Sequence, residues 1–189
     1  MKDNPIGGIL KEIFITLGIA IVIALIIRVF ILNAEVNMPS MQNTLIAGQR
    51  LLVFRTINSF NAPNRGDIII IHPPIAPESE YVKRLIGLPG DAIEIKNGKV
   101  YIDKVPLNEP YIKEPPGYTF GPYQIPEDNY FVLGDNRNNS TDSHLGWTIT
   151  KDDIVGKVWL RYWPFNKFGL IGSYPLNDQL SVEISTKAE

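Results

Sequence analysis

The stretch "DAIEIKNGKVYID", residues 91–103, holds two runs rich in β-branched and aromatic residues, separated by Asn97 and Gly98. Such runs favour strands, because their side chains pack well on a pleated surface. Asn-Gly is the preferred connection of a two-residue hairpin, since its turn requires a positive φ at both positions. This stretch therefore predicts an antiparallel β-hairpin.

Runs of the same kind lie on both sides of the hairpin, and glycine, proline and asparagine punctuate them. They are "RLLVFR" (50–55), "DIIIIH" (67–72), "YVKRLIG" (81–87), "NYFVLG" (129–134) and "GKVWLRYW" (156–163). No helical period of useful length is present among them, so an all-β domain is predicted for this part of the chain. Residues 104–127 are rich in proline and glycine and are expected to form a long irregular excursion.

The stretch "IFITLGIAIVIALIIRVFIL", residues 13–32, is apolar apart from Arg28 near one end. About twenty such residues span the hydrocarbon core of a bilayer, so one N-terminal transmembrane helix is predicted. The competing interpretation is a cleavable secretory signal, with Ala34 at the cleavage site. Against it, the apolar run is longer than a usual signal core, and Leu32 breaks the pattern of small residues that cleavage requires.

The charges before the apolar stretch bear on its orientation. Lys2 and Lys11 favour an N-terminus on the cytoplasmic side, although Asp3 and Glu12 lie beside them. We therefore expect residues 1–12 to form a short cytoplasmic tail, residues 13–32 to cross the membrane, and residues 33–189 to lie outside the cytoplasm.

Composition excludes several classes of function. A net charge of -2 and a pI near 5.7, with both signs mixed along the chain, provide no basic stripe for nucleic acid. Cysteine is absent, which excludes disulfides and thiolate metal sites. The two histidines, His72 and His144, show no metal-ligand spacing, so no metal ion and no other cofactor is expected.

Ser40 lies in "NMPSMQNTL", residues 37–45, shortly after the apolar stretch. By itself it predicts only a turn, because serine is common in turns. Lys83 is a candidate base for Ser40. Strand alternation places Lys83 on one face with Tyr81 and Leu85. A lysine held among apolar groups loses its charge easily, and neutral lysine is a competent base for a serine hydroxyl.

A third stretch, "GDNRNNSTDSHLGW" (134–147), concentrates turn formers and hydroxyl groups after a strand. Its simplest interpretation is a polar loop in which Asp135, Asn136 and Asp142 bond to their own backbone. Alternatively, the loop supplies a hydroxyl that orients Lys83 and an acid that pairs with Arg84.

Four motifs, in this order after an N-terminal anchor, resemble the bacterial type I signal peptidases, the Ser-Lys peptidases of the S26 family. They are "PSMQNTL" (39–45), "RGDIIII" (65–71), "YVKRLIGLPGD" (81–91) and "GDNRNNSTDS" (134–143). The resemblance implies a mainly β fold, an antiparallel β domain with a long curved sheet and a small hairpin-rich insertion at about 96–127.

The resemblance also implies a role for individual residues. Ser40 is expected to be the nucleophile and Lys83 its general base. Ser140 is expected to orient the lysine, and Asp142 to tie the loop to Arg84. The expected substrate-cleft residues are Val36, Tyr81 and Val82.

Two positions depart from the family pattern. Met38 stands where many members carry a serine or threonine that donates to the oxyanion hole, so the hole would rest on the Ser40 N–H and another donor such as Asn37. His144 stands where many members have arginine, which makes the pairing of Asp142 weaker or dependent on pH.

The expected function is the removal of N-terminal signal peptides from exported preproteins, after small residues in an Ala-x-Ala-like pattern. The expected partners are these preproteins and the lipid bilayer, to which the aromatic side chains of residues 159–168 would add contacts if they do not pack in the core. A self-cleaving repressor-type peptidase would need a DNA-binding module, which is missing from the sequence. The remaining alternative is a membrane-anchored, non-catalytic β domain that binds a secreted or membrane partner, and Met38 favours it.

Overall fold

The computed structural model describes residues 5–55 and 63–180. Its first element is a long apolar helix, α1 (Pro5–Phe30), in which Ile9–Phe30 is long and apolar enough to cross a membrane. A signal sequence near an N-terminus would pass the same test of length and composition. Residues 1–4 of the predicted tail lie outside the described residues, and the rest of that tail is helical.

The helix ends two residues before the predicted boundary at 32. Ile31 and Leu32 belong instead to the first strand, because they pair with Phe54 and Val53 of the next strand. The strands are β1 (Ile31–Glu35), β2 (Arg50–Arg55), β3 (Ile68–Ile71), β4 (Tyr81–Gly87), β5 (Ala92–Lys96), β6 (Lys99–Ile102), β7 (Val105–Pro106), β8 (Phe120–Gln124), β9 (Asn129–Leu133), β10 (Ile149–Thr150), β11 (Ile154–Trp163) and β12 (Gly169–Leu170).

Within the described residues the strands form two antiparallel sheets. The larger sheet has the order β1-β2-β11-β3-β4-β9-β10, and β12 also pairs with β11. Register shifts in β4 and β11 mark bulges, which bend a sheet and increase its twist. The smaller sheet has the order β7-β6-β5-β8. The predicted fold class, mainly antiparallel β with one N-terminal apolar helix, is confirmed.

The predicted hairpin forms the centre of the smaller sheet. Lys96 pairs with Lys99, and Asn97 and Gly98 have φ values of 50° and 73°, as a primed turn requires. The prediction of an irregular excursion over 104–127 is only partly right, because β7 and β8 lie within it and form the two edges of this sheet. The smaller sheet also begins at Ala92, ahead of the predicted boundary near 96.

Apolar side chains cover both faces of the larger sheet. All four residues of β3 are buried, with Ile68 and Ile70 in one cluster and Ile69 and Ile71 in another. The first cluster includes Met41, which is 1% exposed and follows Ser40 directly. The segment that carries Ser40 is therefore held against the sheet by its own neighbour.

Candidate active site

Ser40 lies in a short 3₁₀ turn, Pro39–Met41, between β1 and β2. It is buried, with 8% of its surface exposed. Asn136, in the loop after β9, holds the turn from the other side: its backbone N–H donates to the Ser40 carbonyl at 2.9 Å and its side-chain amide to the Pro39 carbonyl at 3.1 Å. Two segments far apart in the sequence therefore define the position of Ser40.

Lys83 lies in β4, opposite Ile69 of β3, and is 2% exposed. Its Nζ donates to the Ser140 hydroxyl at 3.1 Å and lies 5.2 Å from the centre of the Tyr81 ring. Burial lowers the pKa of Lys83 to about 8, although the negative charge of Asp142 opposes this shift. A substantial fraction of Lys83 is therefore neutral near pH 8, as a general base requires.

Gly134 lies where the Ser40 turn meets the loop that carries Ser140. A Cβ atom at this position would lie 2.3 Å from the Ser140 Oγ and 2.5 Å from the Ser40 carbonyl oxygen. Both distances are too short for nonbonded atoms, so any larger residue forces the two segments apart. The glycine thus permits the close approach of Ser40 and the hydroxyl that contacts Lys83.

Arg84 corrects one prediction, because its partner is Asp135 rather than Asp142. Its Nε and one terminal nitrogen donate to the two Asp135 oxygens at 2.9 and 2.8 Å, and its other terminal nitrogen donates to the Gly66 carbonyl at 2.7 Å. Burial alone lowers the pKa of Arg84, but the hydrogen bonds and charge of Asp135 raise the pKa above its ordinary value. The physical reason is alternation: adjacent residues of a strand face opposite sides, so Arg84 points away from Lys83.

Asp142 lies on the side of Lys83 and is completely buried. Its Oδ2 accepts a hydrogen bond from the Gly134 backbone at 2.9 Å, and its Oδ1 lies 2.6 Å from the Nδ1 of His144. The carboxylate thus supports the loop and contributes negative charge near Lys83.

Asp135, Asn136 and Thr44 were not predicted to contribute to the site. Asp135 accepts a hydrogen bond from the Thr44 hydroxyl at 2.5 Å in addition to its pair with Arg84. The segment that begins with Ser40 is therefore connected to β4 through these side chains. The residue types of "GDN" at 134–136 are typical of a turn. Nothing in that stretch identifies Arg84 and Thr44, which lie 51 and 91 residues from Asp135, as its partners.

A cavity of about 350 Å³ opens beside Ser40. The three residues predicted for the substrate cleft, Val36, Tyr81 and Val82, all line it. Met38 and Asn37, which bear on the oxyanion hole, also line it, and Met38 is 47% exposed. A buried serine, a lysine that titrates near pH 8 and an adjacent groove form an arrangement suited to acyl transfer from an extended peptide.

Comparison with known proteins adds independent information. A family model described as "Signal peptidase, peptidase S26" matches residues 10–163. Signal peptidase I of Leptolyngbya laminosa is 41% identical over 181 residues, which cover 92% of this chain and 87% of that protein. Probable signal peptidase I-2 of Synechocystis sp. is 35% identical over 193 residues, covering 99% and 88% of the two chains. A crystal structure of a signal peptidase I from Enterococcus faecalis V583 aligns with a TM-score of 0.47 and 33% identity, over 52% of this chain and 98% of that chain.

Proposed function

The chain belongs to the signal peptidase family, peptidase S26, and on this premise we propose that it is a membrane-anchored endopeptidase with a Ser40–Lys83 dyad. Family membership makes it a peptidase that removes signal peptides. We propose further that catalysis uses this dyad and that cleavage follows Ala-x-Ala-like sequences. Residues 33–189 would then lie outside the cytoplasm.

Lys83 is the residue on which the dyad chiefly rests. It is buried in the sheet, its pKa is lowered to about 8 by burial, and the Ser140 hydroxyl accepts a hydrogen bond from its Nζ at 3.1 Å. Among residues 5–55 and 63–180, no carboxylate is in hydrogen-bond contact with Lys83. A buried lysine in such surroundings is costly to keep charged, and this cost favours the neutral form that catalysis uses.

The proposed reaction begins when neutral Lys83 takes the proton of the Ser40 hydroxyl. Ser40 Oγ then attacks the scissile carbonyl, and the backbone N–H of Ser40 donates to the developing oxyanion. The lysine returns its proton to the leaving amine, which leaves an acyl-enzyme. A water molecule then gives a proton to Lys83 and attacks the ester carbonyl; as the bond between the acyl carbon and Ser40 Oγ breaks, Lys83 returns that proton to Oγ, which restores both side chains and releases the carboxylic acid.

The lining of the cavity supports cleavage after small residues. Val36 and Met41 line it and are only 2% and 1% exposed, so their side chains are held by the core. These two immobile apolar side chains limit the size of a group that packs against them, because a larger group displaces packed atoms, whereas Glu35, Ser79 and Glu80 make part of the lining polar.

The position of the helix supports cleavage close to the membrane surface. Ten residues lead from the end of α1 at Phe30 to Ser40, a distance of at most roughly 36 Å when extended. The aromatic side chains of the C-terminal region are exposed rather than packed in the core: Trp163 by 44%, Phe165 by 75% and Phe168 by 62%. Such groups favour the depth of lipid headgroups, so they suit a domain that lies against the bilayer.

The first test is a cleavage assay with the full chain in lipid vesicles and a preprotein that carries an Ala-x-Ala signal sequence. We expect kcat/KM to fall as the pH decreases below roughly pH 8, because Lys83 acts as a base only when neutral. The rate is measured from pH 5 to 9, and the new N-terminus is identified by mass spectrometry. Binding without a cleaved product favours the non-catalytic alternative, whereas cleavage without loss at acid pH contradicts Lys83 as the base.

Gly134→Ala provides a second prediction for the same site. The added methyl group meets the Ser140 Oγ and the Ser40 carbonyl oxygen, so we expect cleavage to fall at least about 100-fold and stability by about 1–3 kcal/mol. Gly172→Ala is the matched control, since a Cβ atom there has nothing within 4 Å. Cleavage and thermal unfolding of both variants are compared with the parent chain, and equal activity in the two variants would contradict the close approach at Gly134.

A further inference from the structure

His144 contacts two groups beside the proposed dyad. Its Nδ1 lies 2.6 Å from the Oδ1 of Asp142, and the backbone N–H of His144 donates to the same oxygen at 3.3 Å. Its ring stacks on Tyr118, with centroids 4.0 Å apart and an angle of 20° between the planes. The imidazole is mostly buried, with 16% of the side chain exposed. Both the carboxylate and the aromatic ring therefore restrict its orientation.

Asp142 connects this histidine to the reacting groups. The carboxylate accepts a hydrogen bond from the Gly134 backbone, and Gly134 lies against both Ser40 and Ser140. Its charge also acts directly on Lys83, since the negative Asp142 raises the lysine pKa against the larger effect of burial. Any change of charge on the partner of Asp142 therefore changes the field that Lys83 experiences.

Arg137 and Tyr118, which lie beside this cluster, do not change charge between pH 5 and 8, because the pKa of each is raised above an ordinary value that is already high. Arg137 and Glu109 form a buried pair with N–O distances of 2.7 and 2.6 Å, and the pairing raises the pKa of Arg137 despite burial. Burial raises the pKa of Tyr118, on which the histidine stacks. Histidine is the side chain whose charge ordinarily changes in this range. His144 is therefore the natural source of a change in charge beside Asp142.

We infer that His144 is a positioning residue for the Ser40–Lys83 reaction: it holds Asp142 and, when it gains a proton, offsets the carboxylate that otherwise favours the charged form of Lys83. This inference rests on the proposed function. With His144 neutral, the full negative charge of Asp142 favours the ammonium form of Lys83 and so opposes part of the effect of burial. With His144 protonated, part of that attraction is cancelled, and a larger fraction of Lys83 is neutral at the same pH.

The consequence is an acid limb of the pH–rate profile that is shallower than a single lysine produces. As pH falls, Lys83 gains protons and cleavage slows, but protonation of His144 partly restores the neutral lysine. The arrangement extends activity towards acid pH.

His144→Arg and His144→Gln separate the two charge states. Arginine keeps a permanent positive charge beside Asp142, and glutamine keeps a hydrogen-bond donor without the charge. We expect their acid limbs to be parallel, with a slope of one, and the arginine limb to lie roughly 0.5 pH unit lower, about threefold in rate. The parent follows the glutamine limb where His144 is neutral and the arginine limb where His144 carries a proton.

Leu145→Arg is the matched control, because it places the same charge one residue away on a side chain that is 59% exposed. Its acid limb is expected to coincide with that of the parent after scaling, since solvent screens an exposed charge. Profiles of all three variants that superimpose on the parent's would assign His144 a structural role only. An equal shift in Leu145→Arg would overturn the specific action through Asp142.

Two measurements separate this inference from the proposed function. The parent must cleave the preprotein, and Lys83→Ala must not; if either condition fails, the dyad is wrong whatever His144 does. If both conditions hold and the profiles superimpose, only the inference about His144 is wrong. Thermal unfolding at pH 8 measures how much stability each variant loses, and scaling each profile to its own maximum removes any uniform loss of folded protein.

Discussion

Lys83→Met will abolish preprotein cleavage and at the same time make the folded chain more stable at neutral pH. Without the base, we expect kcat to fall at least about 10³-fold, as for other residues of a nucleophile–base pair. Methionine fills nearly the same volume, so the buried site does not collapse. A retained rate above one tenth of the parent's would contradict Lys83 as the base.

The gain in stability follows from the lowered pKa of Lys83, which burial brings from 10.5 to about 8. Below pH 8, Lys83 is charged in both the folded and the unfolded chain, and burial makes the charged form less stable in the folded chain. This loss in the free energy of unfolding disappears as the pH rises from about 8 to 10.5. Removing the lysine removes the buried charge but also the hydrogen bond to Ser140. The net effect should stabilise the fold by about 2 kcal/mol at pH 7. The gain should shrink above pH 8.

Two variants serve as controls for Lys83→Met. Ser40→Ala should lose cleavage to a similar extent without the gain in stability, because it removes no buried charge. Lys99→Met removes an exposed lysine from β6 and should change neither quantity appreciably. Cleavage is measured with the preprotein assay, and stability by urea unfolding at pH 7 and pH 10. Equal stability of Lys83→Met and the parent at pH 7 would contradict the claim that the buried ammonium group of Lys83 destabilises the fold.

Asp135→Asn should destabilise the fold by about 3–5 kcal/mol, because it leaves the guanidinium of Arg84 buried without its counter-charge. Asp135 is completely buried, and the side chain of Arg84 is 3% exposed. The variant also weakens the hydrogen bond from Thr44, so cleavage should fall together with stability. Urea unfolding and the preprotein assay measure the two effects.

Glu35→Gln is the matched control for stability, since it removes an ion pair with Arg50 whose side chains are 51% and 57% exposed. We expect a loss below about 1 kcal/mol, because solvent screens the exposed charges and both side chains lose freedom in pairing. If Asp135→Asn costs no more than this control, the buried pair with Arg84 does not hold β4 and the loop together.

Local signals predicted most of the elements, because the forces behind them act between near neighbours. Asn97 and Gly98 adopt the positive φ values that their hairpin requires, and the apolar run forms the N-terminal helix. The strands β7 and β8 were missed because they contain Pro106 and Pro122, which disfavour a strand. Both lie at edges of the smaller sheet, where the missing N–H of proline is tolerated, and only the assembled sheet shows which strands are edges.

Residue type and strand alternation were enough to predict the candidate reactive groups: a serine beside the apolar helix, a lysine on a strand with apolar neighbours and a loop with a hydroxyl. Their chemistry resides in residue type and in strand alternation, both of which can be read locally. The partner of Arg84 depends on the assembled sheet, since Arg84 pairs with Asp135, 51 residues away, and not with Asp142. Adjacent residues of β4 face opposite sides of the sheet, and the pairing of β4 with β9 determines which acid of the following loop each side meets.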